Sequence, residues 1–179
     1  SPRDAFPDPA SRGMIGSTGV QSPVNLELHG FSEAFMTATG AEGNKTDLSA
    51  GRQGYNIAVL DSRTGELLDK RGFDTAANSF EADALAAYLD DIPAGRIVAL
   101  ATKGAATANL TPVALAALQG IGSKAAALSD LQGQSHALVG VKGAASGSAS
   151  EAIASDAYLF VGGDFRALSA AVDWVELGE

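Results

Sequence analysis

The side chains that could do chemistry in this chain are few and scattered. It has two histidines, His29 and His136, and no cysteine among 179 residues, which excludes thiol catalysis, disulfides and thiolate metal sites. His136 stands next to Ser135, a hydroxyl beside an imidazole. Covalent catalysis also needs an orienting partner for the base and an oxyanion donor. No Gly-X-Ser-X-Gly elbow sits between a strand and a helix, and Gly147-Ser148-Ala149-Ser150 falls in a small-residue loop. Both histidines therefore read as surface or structural residues. Two-carboxylate glycosidase chemistry requires acids facing each other across about 5–9.5 Å. Asp90-Asp91 close a helix and Asp61 with Glu66 flank a turn, so no spacing sets a pair face to face. Zinc would need four closed-spaced ligands, which two isolated histidines cannot supply. Calcium held by Asp4 with Asp8, or by Glu42 with Asp47, would lack the alternating acids of an EF-hand loop. Gly120-Ile121-Gly122-Ser123-Lys124 follows a helix instead of opening one, and Gly140-Val141-Lys142-Gly143 continues a strand into a loop. Neither has the setting of a phosphate loop. The expectation is a chain that is not an enzyme, with no catalytic residue, no metal site and no cofactor.

Composition narrows the partners. The formal charge is −9, from 12 basic and 21 acidic residues, and no basic stripe interrupts it. Binding to a polyanion gains from releasing its counterions onto basic side chains, so nucleic acid is not an expected partner. Apolar residues make up 46% and charged residues only 18%, which fits a packed domain and not a disordered acidic chain. No apolar run approaches the roughly 18 residues of a membrane span, so no direct membrane insertion is expected. No signal-peptide pattern opens the chain, which reads as a mature or excised part of an exported protein. The Ala/Gly-rich, cysteine-free composition points to a bacterial source.

The elements that must carry these residues follow from periodicity. Residues 1–20, with Pro2, Pro7, Pro9, Gly13, Gly16 and Gly19, show no apolar rhythm and read as an extended N-terminal arm or linker. Residues 21–179 read as a single domain. Val24, Leu26 and Leu28 alternate with polar residues as in a half-buried strand, and a second strand is predicted over Glu33 to Thr39, followed by a polar loop from Gly40 to Ala50. Tyr55 to Leu60 is the strongest strand signal, returning through Asp61-Ser62-Arg63-Thr64-Gly65-Glu66 to Leu67–Phe73 as a tight hairpin. Asn78 or Ser79 caps a helix, with Glu81 in capping-box spacing from Asn78. Phe80, Ala84, Leu85, Tyr88, Leu89 and Ile92 are its predicted buried face, and Pro93 and Gly95 stop it. Arg96 to Thr102 reads as a central strand. Thr111-Pro112 opens a second helix, with Leu115, Leu118 and Ile121 as its apolar face. Ala125 to Leu131 fits no single element, His136 to Val141 is a strand, and Gly143 to Ser150 is a loop. Ala157 to Val161 and then Val172 to Leu177, with Trp174, close the chain. Two hairpins argue against a doubly wound parallel fold. The predicted class is α/β in the α+β sense: mixed, largely antiparallel sheets in a sandwich-like core with two or three flanking helices.

Several of these segments occur together and in order: Gly54-Tyr55-Asn56-Ile57-Ala58-Val59-Leu60-Asp61, Arg63-Thr64-Gly65-Glu66, Phe73-Asp74-Thr75, Ile92-Pro93-Ala94-Gly95-Arg96-Ile97-Val98, Ala101-Thr102-Lys103-Gly104 and Val139-Gly140-Val141-Lys142-Gly143-Ala144. Over roughly residues 23–165 the chain resembles the interleukin-like EMT-inducer domain. That domain occurs in PANDER-like cytokines, in the stem of the protein O-mannose N-acetylglucosaminyltransferase, in hyaluronan-processing proteins and in bacterial exported proteins. The resemblance implies an extracellular or cell-surface, non-catalytic module, some relatives of which bind carbohydrate. In the glycosyltransferase stem the sugar is held by an arginine before the Gly-hydrophobic strand, an acid after the Lys that ends a strand, and an arginine before the Val-Gly-X-Lys-Gly strand. The matching positions here are Gln53, Gly104 and Gly133, so all three charges are missing. Arg52 is one residue out of place, which on a strand points it elsewhere.

A saccharide bound there would rest on Gln53, Lys103, Gln132, Gln134 and His136. Neutral hydrogen bonds are about half as strong as charge-assisted ones, so the expected binding is weak. The functional expectation is a binding or interaction module for a glycan or protein partner. The alternative is a structural building block of a surface layer, filament or stalk that self-associates through its N-terminal arm and exposed strand edges.

Overall fold

The computed structural model describes residues 13–163. Nine strands form two sheets. The first contains β1 (Asn25–Gly30), β2 (Ala34–Thr39), β3 (Lys45–Asp47) and β9 (Ala157–Val161), in the order β3-β2-β1-β9. The second contains β4 (Gly54–Leu60), β5 (Leu67–Phe73), β6 (Ile97–Lys103), β7 (Ser135–Val141) and β8 (Ser150–Ala154), in the order β5-β4-β6-β7-β8. Helices α1 (Ser79–Asp91) and α2 (Pro112–Gln119) lie on the outer face of the five-stranded sheet. The layers are sheet, sheet, helices. Among the described residues every strand pair within the sheets is antiparallel. The predicted mixed sheets and the α/β label are thus corrected to a mostly-β sandwich with two helices.

Two cores hold the layers. Between the sheets, Leu26, Leu28, Met36 and Ala38 meet Ala58, Leu60, Ile97, Ala99, Ala101, Ala137, Val139 and Val141. Alanine is frequent on the five-stranded side, and small side chains let two sheets close without voids. On the other face, Tyr55, Ile57, Val98, Leu100 and Leu138 meet Leu85, Ala86 and Leu89 of α1 and Leu118 of α2. Strands β4, β6 and β7 are therefore covered on both faces. That is why their sequences are continuous apolar runs without alternation. The hairpin at Asp61–Glu66 forms as expected: Asp61 Oδ1 accepts from Arg63 N and Thr64 N, each at 2.9 Å, and Gly65 turns at φ +76°.

The expected α1 face holds at Leu85, Leu89 and Ile92 and fails at Phe80 and Ala84. Phe80 is 82% exposed and Ala84 is also exposed, while Ala82, Leu85, Ala86 and Leu89 are buried. A rhythm weighted on large residues followed the Phe80–Ala84–Tyr88 stripe, whereas small alanines face the crowded sheet. The cap is Asn78, whose Oδ1 accepts from Glu81 N at 3.1 Å. On α2, Thr111 caps as expected, Leu115 is only half-buried, and Ala114, Ala117 and Leu118 fill the interface. The unassigned stretch after Ala125 contains a 3-10 turn, Leu128–Asp130. Two short strands lie outside the predicted ones: β3, inside the predicted Gly40–Ala50 loop, whose residues are all exposed, and β8, in a stretch after Ser150 given no element, whose Ser150-Glu151-Ala152-Ile153-Ala154 lacks an apolar alternation.

The extended-arm expectation for residues 1–20 does not hold over 13–20. Met14 bridges Gln21, and Ile15 is fully buried between the sheets. Residues 1–12 and the strand predicted over Val172–Leu177 lie outside the described residues.

The Val-Gly-X-Lys-Gly motif has a packing explanation. A Cβ on Gly140 would lie 1.9 Å from Ile121 O, so only glycine lets β7 pass the turn after α2. Lys142 Nζ donates to the carbonyls of Leu89, Asp90 and Ile92 at 2.6, 2.9 and 3.0 Å, capping the C-terminus of α1 with a positive charge. Lys142→Met keeps the aliphatic stem and removes the cap. It should cost about 1–2 kcal/mol and speed amide hydrogen exchange in the last turn of α1; unchanged exchange there would rule the cap out as a stabilising contact.

Candidate functional site

Loops from both sheets and from the helical side meet at one end of the sandwich. Strand β6 ends at Lys103, and Gly104 turns the chain at φ +69°. Gly104 N donates to Phe31 O at 2.8 Å, which ties the loop after β1 to the loop after β6. Thr107 Oγ1 donates to Gln134 O at 3.3 Å, and Ser135 Oγ donates to Ser155 O at 3.2 Å. These bonds frame a cleft of about 500 Å³ lined by Phe31, Gly104, Thr107, Gln132, Gly133 and Gln134, among others. None of its lining residues among the described ones carries a formal charge. Its polar groups are amides, hydroxyls and backbone atoms, beside the half-exposed ring of Phe31. Such a lining can exchange neutral hydrogen bonds with a polyhydroxylated ligand and cover one apolar face of it.

Of the positions matched to the glycosyltransferase-stem site, Gly104 and Gly133 both line this cleft. Gln53 is exposed and stands beside them: its Nε2 lies 3.4 Å from where a Cβ on Gly104 would sit. Gln132 and Gln134 also line it, and nothing lies within 4 Å of the Cβ position on Gly133. Gly104 and Gly133 thus share one cleft, and Gln53 neighbours Gly104. Lys103 sits at the lip but is engaged, with Nζ 3.0 Å from Glu33 Oε2. Arg52 pairs with Glu81 at 3.3 Å, away from the cleft lining.

His136 is placed differently from the other candidates. Its side chain is 0% exposed and points into the interior. Nδ1 lies 2.8 Å from the Tyr55 hydroxyl, and Nε2 lies 2.6 Å from Oε2 of Glu151, itself 2% exposed. Ser123 Oγ and Lys124 N also donate to the Glu151 carboxylate, at 2.6 and 2.8 Å. Burial alone would push this carboxyl up. The hydrogen bond and charge of His136, with the donors from Lys124 and Ser123, outweigh burial and hold it below the usual carboxylate range. A carboxylate only accepts, so Nε2 must carry a proton. Burial, and then the negative charge of Glu151, push the Tyr55 hydroxyl far above its ordinary value and keep it protonated. The arrangement has the members of a relay but presents no nucleophile, because Ser123 is bonded to the acid and not to the imidazole. It is an interior network joining β4, β7, β8 and the turn after α2. Sequence reasoning missed Glu151 and Tyr55 as its partners; they lie 15 and 81 residues from His136, and no local spacing signals them.

Comparison with known proteins gives this geometry a family. The family model described as interleukin-like EMT inducer matches residues 53–144, a span that begins at Gln53 and contains Gly104, Gly133 and Lys142. A cell surface hyaluronidase of Danio rerio is 39% identical over 103 residues, covering 51% of this chain and 7% of that protein. The cell migration-inducing and hyaluronan-binding protein of Mus musculus is 31% identical over 115 residues, covering 59% of this chain and 8% of that protein. The human cell surface hyaluronidase CEMIP2 is 29% identical over 184 residues, covering 88% of this chain and 13% of that protein. The chain therefore spans only 7–13% of the length of these relatives. Because the family model covers more than half of the sequence, in register with the two-sided sheet and its glycine turns, this chain belongs to the interleukin-like EMT inducer family.

Proposed function

We propose that this chain is a non-catalytic, extracytoplasmic binding module whose uncharged cleft takes a neutral saccharide residue weakly. The observation that supports the reading is that Gly104 and Gly133, far apart in sequence, line one cleft, with the Gln53 amide next to Gly104. Relatives described as hyaluronan-binding or as cell-surface proteins support a glycan partner and a location outside the cytoplasm. The absence of charge in the cleft favours an amide-bearing neutral sugar over a uronic acid, since a buried carboxylate would find no guanidinium there. The sandwich supplies the rigidity, and Gly104 and Gly133 leave the open floor.

Titration with N-acetylglucosamine, followed by amide chemical shifts, tests this. Saturable shifts at Gly104, Ala105 and Gln132–Gln134 are expected, with half-saturation in the millimolar range. Gly133→Arg, which restores a family guanidinium, should tighten binding of a sugar carrying a carboxylate by about tenfold, the scale of one charge-assisted hydrogen bond. An absence of shifts at these positions up to molar sugar would discard the glycan site.

A further inference from the structure

A second cleft shares no lining residue with the first. It has a volume of about 490 Å³ and lies between edge strand β5 and helix α1. It exists because α1 turns Ala84 and Ala87 towards β5, where larger side chains would fill the gap. Val59, Leu68, Phe73 and Ile92 give it apolar walls, and Leu68 is 44% exposed. Tyr88 reaches across and donates to Asp69 Oδ2 at 2.6 Å, fixing one wall. Arg71 lies over the Phe73 and Tyr88 rings, 5.7 and 5.8 Å from their centroids, with no hydrogen-bond or ion-pair partner among the described residues. Stacking holds this guanidinium in place while leaving its donors unused. The other arginine, Arg96, is engaged by Asp61 at 3.2 Å.

Among the described residues strand β5 pairs only with β4, which leaves its outward-facing N–H and C=O groups without a strand partner there. An open strand edge beside an apolar cleft roofed by a helix is the arrangement that receives an added strand. The peptide backbone pairs with the edge, and alternate side chains enter the cleft. We propose that the groove between β5 and α1 binds an extended peptide segment of a protein partner, with apolar side chains at alternate positions and an acidic side chain opposite Arg71. A polyol would use the rim but leave both the strand edge and the aliphatic walls unmatched. Arg71, which lines the groove, disfavours indiscriminate strand pairing there and selects for acid.

The probe is a phage-displayed library of random seven-residue peptides panned against the whole chain. The expected winners alternate apolar residues and carry Asp or Glu at one fixed position. One synthesised winner should shift the amides of Leu67–Phe73. Ala87→Leu, which fills the cleft from an exposed helix position, should weaken it at least about tenfold, and Arg71→Glu should shift the preferred residue from acidic to basic. A proline at the central peptide position, lacking the N–H, should abolish binding. No enrichment, equal retention by Ala87→Leu, or shifts confined to Gly104–Gln134 would overturn the proposal. N-acetylglucosamine moving the β5 amides instead would also overturn it. The glycan reading stands or falls on its own residues, so failure of one leaves the other visible.

Discussion

Glu151→Ala is expected to lower the unfolding free energy by about 2–5 kcal/mol, because two buried donors lose their acceptor at about 1–3 kcal/mol each. The side chain is 2% exposed, and its carboxylate is the acceptor for His136, Ser123 and Lys124 N together. Removing it leaves an imidazole and a hydroxyl interior without their acceptor. Domains of this size have only about 5–15 kcal/mol in total, so Glu151→Gln, which keeps the shape and one accepting oxygen, is the companion variant and should lose less. Urea unfolding at neutral pH reads both. The pH dependence has a defined sign. The folded-state acid lies below its unfolded value, so its contribution is fully present above the ordinary carboxylate value of about 4.3 and is lost as pH falls through the folded value. The unfolding midpoints of the native chain and Glu151→Gln should therefore converge in acid. Parallel profiles down to the acid limit would remove Glu151 from the stabilising network.

Gly54→Ala is the second large effect. Gly54 has φ +102°, and an added Cβ would lie 2.0 Å from Phe73 O, 2.7 Å from Thr75 N and 3.0 Å from Asp74 Cα. All three contacts are with backbone, so nothing yields cheaply. Left-handed strain and overpacking together should cost at least about 3 kcal/mol. Gly95→Ala is the control, because Gly95 has φ +92° and nothing within 4 Å of its Cβ position. It carries the strain alone, about 1–2 kcal/mol. Equal losses for the two variants in thermal or urea unfolding would show that the close approach of β4 to the Phe73–Thr75 turn is not what requires glycine. Because Gln53 precedes Gly54, the same substitution should also weaken any ligand at the Gly104 cleft.

What was readable from sequence depended on how local the signal was. The Tyr55–Phe73 hairpin, both helix caps and the apolar runs of β6 and β7 declare themselves because turn chemistry, capping and double-sided burial act over a few residues. Strand β3 was invisible because its three residues are exposed and its backbone pairs with β2. Strand β8 was invisible because its pattern mixes Ser and Glu with Ala and Ile, and the partners of its buried Glu151, His136, Ser123 and Lys124, lie elsewhere in the chain. On α1, reading periodicity by side-chain size found Leu85 and Leu89 but chose Phe80 over the buried Ala82 and Ala86. At the site, Gly104 and Gly133 line one cleft and Gln53 lies next to Gly104. His136 could be located on a strand but not assigned an inward direction, because that depends on Tyr55 and Glu151 arriving from other strands.

The pairing of β9 with β1 sets an order of events on the ribosome. His29 and Asp156, joined across this seam, are 127 residues apart, and β8 crosses directly from the other sheet into β9. The β1–β2 hairpin is made early, yet one flank of β1 stays bare until nearly the whole described chain has emerged. Closure over such a separation is slow, and a bare flank invites pairing with a neighbouring nascent chain. The short reach of β9, five residues, makes it the latch that ends that exposure.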